Sequence, residues 1–238
     1  MDPLPPEPRL TSLMTASFPT VELVTREALT PDYLLERNFQ VVSTLGNFAG
    51  RLRATAAQFP TRPKSWITVE PARVAALREE YLATAKGRKL IGLSWRHSKD
   101  SPQWPAPLDA WLPLLDRPDV MIVALHPGPC EAELVAFAER TGRDLIFDRR
   151  ADLATDLGGY AAQVQACDQV IAVEDLTAVL AGAMGKPTIK LKRQVDHWWW
   201  GTKDAKDPWF AALQTVVAEN GVGEAAVAEV LSLMDQRR

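Results

Sequence analysis

Residues 168 to 191 read DQVIAVEDLTAVLAGAMGKPTIKL, and this order of residue types leaves few folds open. The apolar run 170 to 173 has the length of a strand buried on both faces. Glu174, Asp175 and Thr177 follow as a polar interruption. Residues 178 to 185 are small and apolar and end in glycine, the pattern of a closely packed helix with a glycine stop. Lys186-Pro187 then leads into a second apolar stretch from 188 to 191. Strand, polar loop, helix and strand in succession is a βαβ unit, and such units build parallel sheets. In open α/β sheets, ligands bind beyond the carboxyl ends of strands, where loops meet helix N-termini. Glu174, Asp175 and Thr177 are therefore the first candidates for a ligand loop.

The rest of the chain repeats this alternation. Strands are predicted over 90–95, 120–125 and 144–147, with helices over 108–115, 130–141, 159–167 and 224–235. Pro71 opens a further helix, and Val74, Leu77, Tyr81 and Leu82 recur along it at helical spacing. Upstream, helices are predicted over 10–18 and 47–58, and strands over 21–25 and 37–44. The fold class that follows is α/β with a Rossmann-like parallel sheet. Residues 88 to 238 supply about five strands, enough for one complete sheet, whereas residues 1 to 65 supply only about two, a partial second α/β unit. The boundary falls in the proline-rich connector at 60–64, giving units 1–65 and 66–238.

Bulk properties exclude several classes. A net charge of −3 and a pI near 5.7 argue against a nucleic-acid surface. No apolar run reaches the length of a membrane span. The opening MDPLPPEPRL lacks the basic and apolar regions of a secretory signal. Two cysteines, Cys130 and Cys167, form neither a disulfide framework nor a metal pattern, and they fit a reduced cytoplasmic compartment. His97, His126 and His197 stand apart from one another, so no metal is expected.

The segments IGLSWR at 91–96, DQVIAVEDLTAVLAGAMGKP at 168–187, HWWWG at 197–201 and DPWF at 207–210 resemble the C-terminal domain of bacterial GT-B glycosyltransferases. The similarity is to the heptosyltransferase-like group and to the related domain found behind tetratricopeptide repeats. RLTSLMTASFPTVELVTR and NFQVVSTLGNFAGRLR resemble the last part of that family's N-terminal domain, which makes residues 1–65 a truncated remnant. The resemblance implies that 66–238 holds the nucleotide of a nucleotide-sugar donor, with the sugar passing to an acceptor. Carried over by position, it places Ser94, Trp95, Arg96 and Lys99 at the donor phosphates. It places Glu131 at the ribose hydroxyls, and Glu174, Asp175 and Thr177 at phosphate and sugar. It implies no cofactor, the nucleotide-sugar being a substrate, and the sequence has no acidic pair of DxD form to hold a metal.

The chain departs from that pattern in ways that matter. The family reads Asp-Thr or Ser-Asn where Glu174-Asp175 stands, and a histidine where Val179 stands. An imidazole donates to a diphosphate; a valine does not, and two acids repel one. No general base is identifiable. A second reading therefore stands beside glycosyl transfer: a degenerate, non-catalytic member serving as an interaction module. A further version is a half-enzyme completed by a partner chain or by a second copy, with Trp198–Trp200 and the residual N-terminal elements at the contact. Plainer roles are open residue by residue. Asp175 and Thr177 suit helix capping, Gly182 and Gly185 suit close packing, and Arg96 and Lys99 suit a solvated loop.

Overall fold

The computed structural model describes residues 8–39, 41–96, 105–125, 130–150, 156–193 and 207–236. Lys99, His97, His126, His197 and Trp198–Trp200 lie outside them. In chain order the elements are α1 (Thr11–Ser17), α2 (Pro31–Glu36), α3 (Leu45–Leu52), α4 (Pro71–Ala85), β1 (Lys89–Ser94), α5 (Leu112–Leu115) and β2 (Val120–Ala124). They continue with α6 (Glu131–Thr141), α7 (Leu157–Ala166), β3 (Gln169–Val173), α8 (Leu176–Ala183), β4 (Thr188–Lys192), β5 (Leu213–Val217) and α9 (Glu224–Asp235).

The five strands make one sheet in the order β2-β1-β3-β4-β5, every neighbouring pair parallel. Outside β2, Ile146 adds a single parallel bridge to Val123. Its N–H donates to Ile122 O and its C=O accepts from Ala124 N, both at 2.8 Å. The chain thus builds outward from β1 through β2 to Ile146. It then returns to β3 and builds outward the other way through β4 and β5. The direction reverses between β1 and β3, and in sheets of this kind that reversal opens a crevice at the strands' carboxyl ends.

Both faces of the sheet are covered, which is why its strands read as continuous apolar runs rather than alternating ones. One face presents Ile91, Leu93, Ile122, Ile171, Val173, Ile189 and Leu191 to Trp111, just before α5, and to side chains of α5, α6 and α9, among them Leu114, Phe137 and Val230. The other presents Leu90, Met121, Val123, Val170 and Ala172 to α4, α7 and α8. Leu13 of α1 is buried in that second layer. The same N-terminal region is tied on by Ser17 Oγ, which accepts from Thr68 N at 2.9 Å.

Several expected strands differ. Residues 21–25 and 37–44 form none among their described residues, and Leu23 makes only an isolated bridge. A strand needs a neighbour for its backbone groups, and the five-stranded sheet lies elsewhere in the chain. Residues 144–147 contribute one bridge instead of a strand. The fifth strand is β5, which fills the opposite edge and was not expected. Residues 31–36, also unexpected, form α2, capped by Thr30 Oγ1 accepting from Tyr33 N at 3.2 Å.

Candidate functional site

The reversal of strand order lies between the ends of β1 and β3. Ser94, the last residue of β1, donates its hydroxyl to Asp175 Oδ2 at 2.5 Å. Asp175 is the N-cap of α8, its Oδ1 accepting from Ala178 N at 3.1 Å. Thr177 Oγ1 lies 3.3 Å from the same carboxyl and 2.7 Å from the Tyr160 hydroxyl. Tyr160 donates to the carbonyl of Leu125, just past β2. Three strand ends are therefore joined by one buried polar network, with Ser94 and Thr177 completely shielded from solvent.

That network shows how this chain accommodates an acid at position 175. Burial pushes the Asp175 carboxyl up to about 7, against the hydrogen bonds from Ser94, Ala178 and Thr177 that favour its charged form. Near neutral pH it carries only part of a full negative charge. Burial likewise raises the Tyr160 hydroxyl well above its ordinary range. The adjacent acid, Glu174, is also buried, and its Oε1 accepts from Arg193 Nε at 2.9 Å. One acid is thus held partly neutral and the other is ion-paired.

Trp95 and Arg96 turn toward α6. The Trp95 indole is fully buried among Ile91, Leu93 and the helices of the α5–α6 face. Its Nε1 donates to Glu133 Oε1 at 3.1 Å. Arg96 donates to Glu133 Oε2 from Nε at 3.1 Å and from Nη2 at 2.9 Å. Glu131, two residues earlier in the first turn of α6, is exposed and pairs with Arg149. Acids in a first turn are favoured there by the helix dipole.

Of the residues predicted at the donor, Ser94, Asp175 and Thr177 form one network, Trp95 and Arg96 a second centred on Glu133, and Glu174 and Glu131 each hold a separate arginine. Trp95 offers no exposed ring, so its contribution is to position the residue after it. Glu133, Arg193 and Tyr160 were not anticipated. For Glu133 a signal existed, since Glu131 and Glu133 share the first turn of one helix. Two buried lysines were also missed. Lys190 of β4 is ion-paired with Asp207, whose Oδ1 accepts from Trp209 N and Phe210 N at 2.9 Å each, and Lys192 lies one pleat further on, 1% exposed. Among the described residues no group of three or more His, Cys, Asp or Glu could hold a metal ion. Among them, too, no helix is long and apolar enough to cross a membrane.

An α/β domain with five parallel strands in this order is of the doubly wound, Rossmann-like class. Two solved structures share the fold. One is a family 9 glycosyl transferase from Veillonella parvula, with a TM-score of 0.54 at 16% identity over 72% of this chain and 54% of that one. The other is the ADP-heptose lipopolysaccharide heptosyltransferase II of E. coli, with a TM-score of 0.50 at 17% identity over 78% of this chain and 58% of that one. At such identity the likeness is one of fold. No family model matches the sequence. Protein FlbA of Caulobacter vibrioides is 30% identical over 96% of this chain, and the chain spans 40% of FlbA's length.

Proposed function

We propose that this domain binds the nucleoside diphosphate part of a nucleotide-sugar donor in the crevice beyond β1 and β3, and that the domain serves glycosyl transfer. The observation that carries the reading is Arg96, held at the carboxyl end of β1 beside the reversal of strand order. A planar guanidinium there suits a diphosphate better than an ammonium, because its parallel N–H groups meet two oxygens at once. As the sugar bond breaks, the leaving diphosphate gains negative charge. Arg96 and the N-terminus of α8 stabilise that charge, more in the transition state than in the ground state. The partial neutralisation of Asp175 and the pairing of Glu174 remove much of the repulsion that two acids would otherwise set against the diphosphate. Glu131, exposed at the start of α6, is the group for the ribose hydroxyls. Lys99 is proposed to add positive charge to the phosphate side.

The reading is tested by a thermal-shift panel of ADP-, GDP- and UDP-sugars, followed by assays of donor hydrolysis and transfer. A shift with at least one donor supports the binding site, and turnover supports the transfer. Stabilisation without turnover is the result expected of a binding module. Val179 favours that second reading, since it offers no hydrogen bond where the family has an imidazole.

A half-enzyme reading is favoured by a different observation. No described side chain of α2 or α3 is buried. Leu35, Val41, Val42 and Leu52 are 78%, 57%, 63% and 61% exposed. Such a row suits contact with another chain or domain. If this segment mediates self-association, light scattering after size exclusion gives a dimer that Val42→Lys with Leu52→Lys dissociates. A monomer at all concentrations removes the second copy as the partner.

A further inference from the structure

We infer that Glu133 is a positioning residue for the diphosphate site, acting through Arg96 and Trp95; the inference rests on the donor reading above. Glu133 accepts three N–H groups from two consecutive residues. One comes from the buried indole of Trp95 and two from the guanidinium of Arg96. The Arg96 pair is side-on, through Nε and Nη2. Both bonds converge on Oε2, which holds the Nε–Nη2 edge against Glu133 and turns the outer edge, with Nη1 and the second Nη2 hydrogen, away from the carboxylate. The indole bond fixes the carboxylate in turn, because Trp95 has no exposed surface and its rotamer is set by the core. The chain of control therefore runs from a packed core residue, through a carboxylate, to an arginine at the mouth of the crevice.

The pair is partly shielded, the Arg96 and Glu133 side chains being 20% and 33% exposed. A neutral amide cannot replace the carboxylate. Glutamine offers one oxygen and one NH2, while both oxygens of Glu133 meet N–H donors. Whichever way the substituted amide turned, one donor would face another donor and either Arg96 or Trp95 would lose its bond to residue 133. Glu133→Gln therefore loosens the alignment of Arg96 or shifts Trp95, even though it removes a negative charge beside Arg96. A purely electrostatic role predicts tighter anion binding for this variant; positioning predicts weaker binding.

The experiment is calorimetric titration of wild type, Glu133→Gln, Arg96→Ala and the double variant, with ADP, GDP and UDP and with their unphosphorylated nucleosides. The expected result is about tenfold weaker diphosphate binding by Glu133→Gln, with nucleoside binding unchanged. The double variant is expected to bind no more weakly than Arg96→Ala alone, since both changes remove the same function. Glu133→Asp, which keeps a carboxylate, recovers part of the loss, and thermal melts check that each variant is folded. If wild type binds a diphosphate but the two losses add independently, or Glu133→Gln binds as well as or better than wild type, the inference is wrong and the donor site stands. If wild type binds no diphosphate, the donor reading fails and takes the inference with it.

Discussion

Asp175 carries the most informative chemistry of any single residue. Its carboxyl is raised from 3.8 to about 7 by burial. Unfolding therefore releases a proton between those values, so this group's contribution to stability declines as pH rises through the window and is constant above it. The full change is on the order of 4 kcal/mol. Asp175→Asn abolishes that titration and can still accept from Ala178 N. The stability of the variant relative to wild type is expected to improve from about pH 4 to about pH 7 and to level off above it in urea titrations; parallel curves would mean that the carboxyl is not buried as described. In the sequence, the position of Glu174 to Thr177 at a strand end was legible, because the apolar run stops there abruptly. Trp95 was expected at the donor phosphates, whereas the period-two series Ile91, Leu93, Trp95 carries its ring into the core. The pairing of Arg96 with Glu133 was not legible. It joins residues 37 apart, and no local pattern encodes it.

At the level of elements, Gly182 shows how α8 meets the segment before β5. A Cβ there would lie 2.6 Å from the Phe210 ring and 2.8 Å from Leu213 Cδ1. Gly182→Ala is expected to lower stability by about 1–3 kcal/mol, read as a reduced urea midpoint. An unchanged midpoint would show that Phe210 and Leu213 yield freely. Helices and central strands were readable because burial on one or two faces imposes a period. Edge pieces were harder. β5, LQTVV, has two of its five residues only partly buried and follows a tryptophan-rich stretch that gives no strand signal. Residues 144–147 have strand composition, yet only Ile146 finds a partner. Residues 21–25 and 37–44 show the same limit, since β-propensity does not make a strand without a neighbouring edge.

For the whole molecule, alternation of short apolar runs with helices was enough to give the α/β class and a parallel sheet. The strand order was not readable, because it depends on which edges meet, and with it the place where the crevice opens. The resemblance to GT-B glycosyltransferases carried the fold correctly, and the two solved structures share it. The chemistry is this chain's own: a half-neutral aspartate under the α8 N-terminus, a valine at position 179, and an arginine steered by a glutamate from the neighbouring helix. The central claim is that Arg96 meets a diphosphate at the reversal between β1 and β3. Calorimetric titration of wild type and Arg96→Ala with UDP, GDP and ADP tests it most directly. The account predicts saturable binding of at least one of them by wild type, weakened about tenfold or more by Arg96→Ala; equal affinity in the two proteins, or no binding by either, would contradict it.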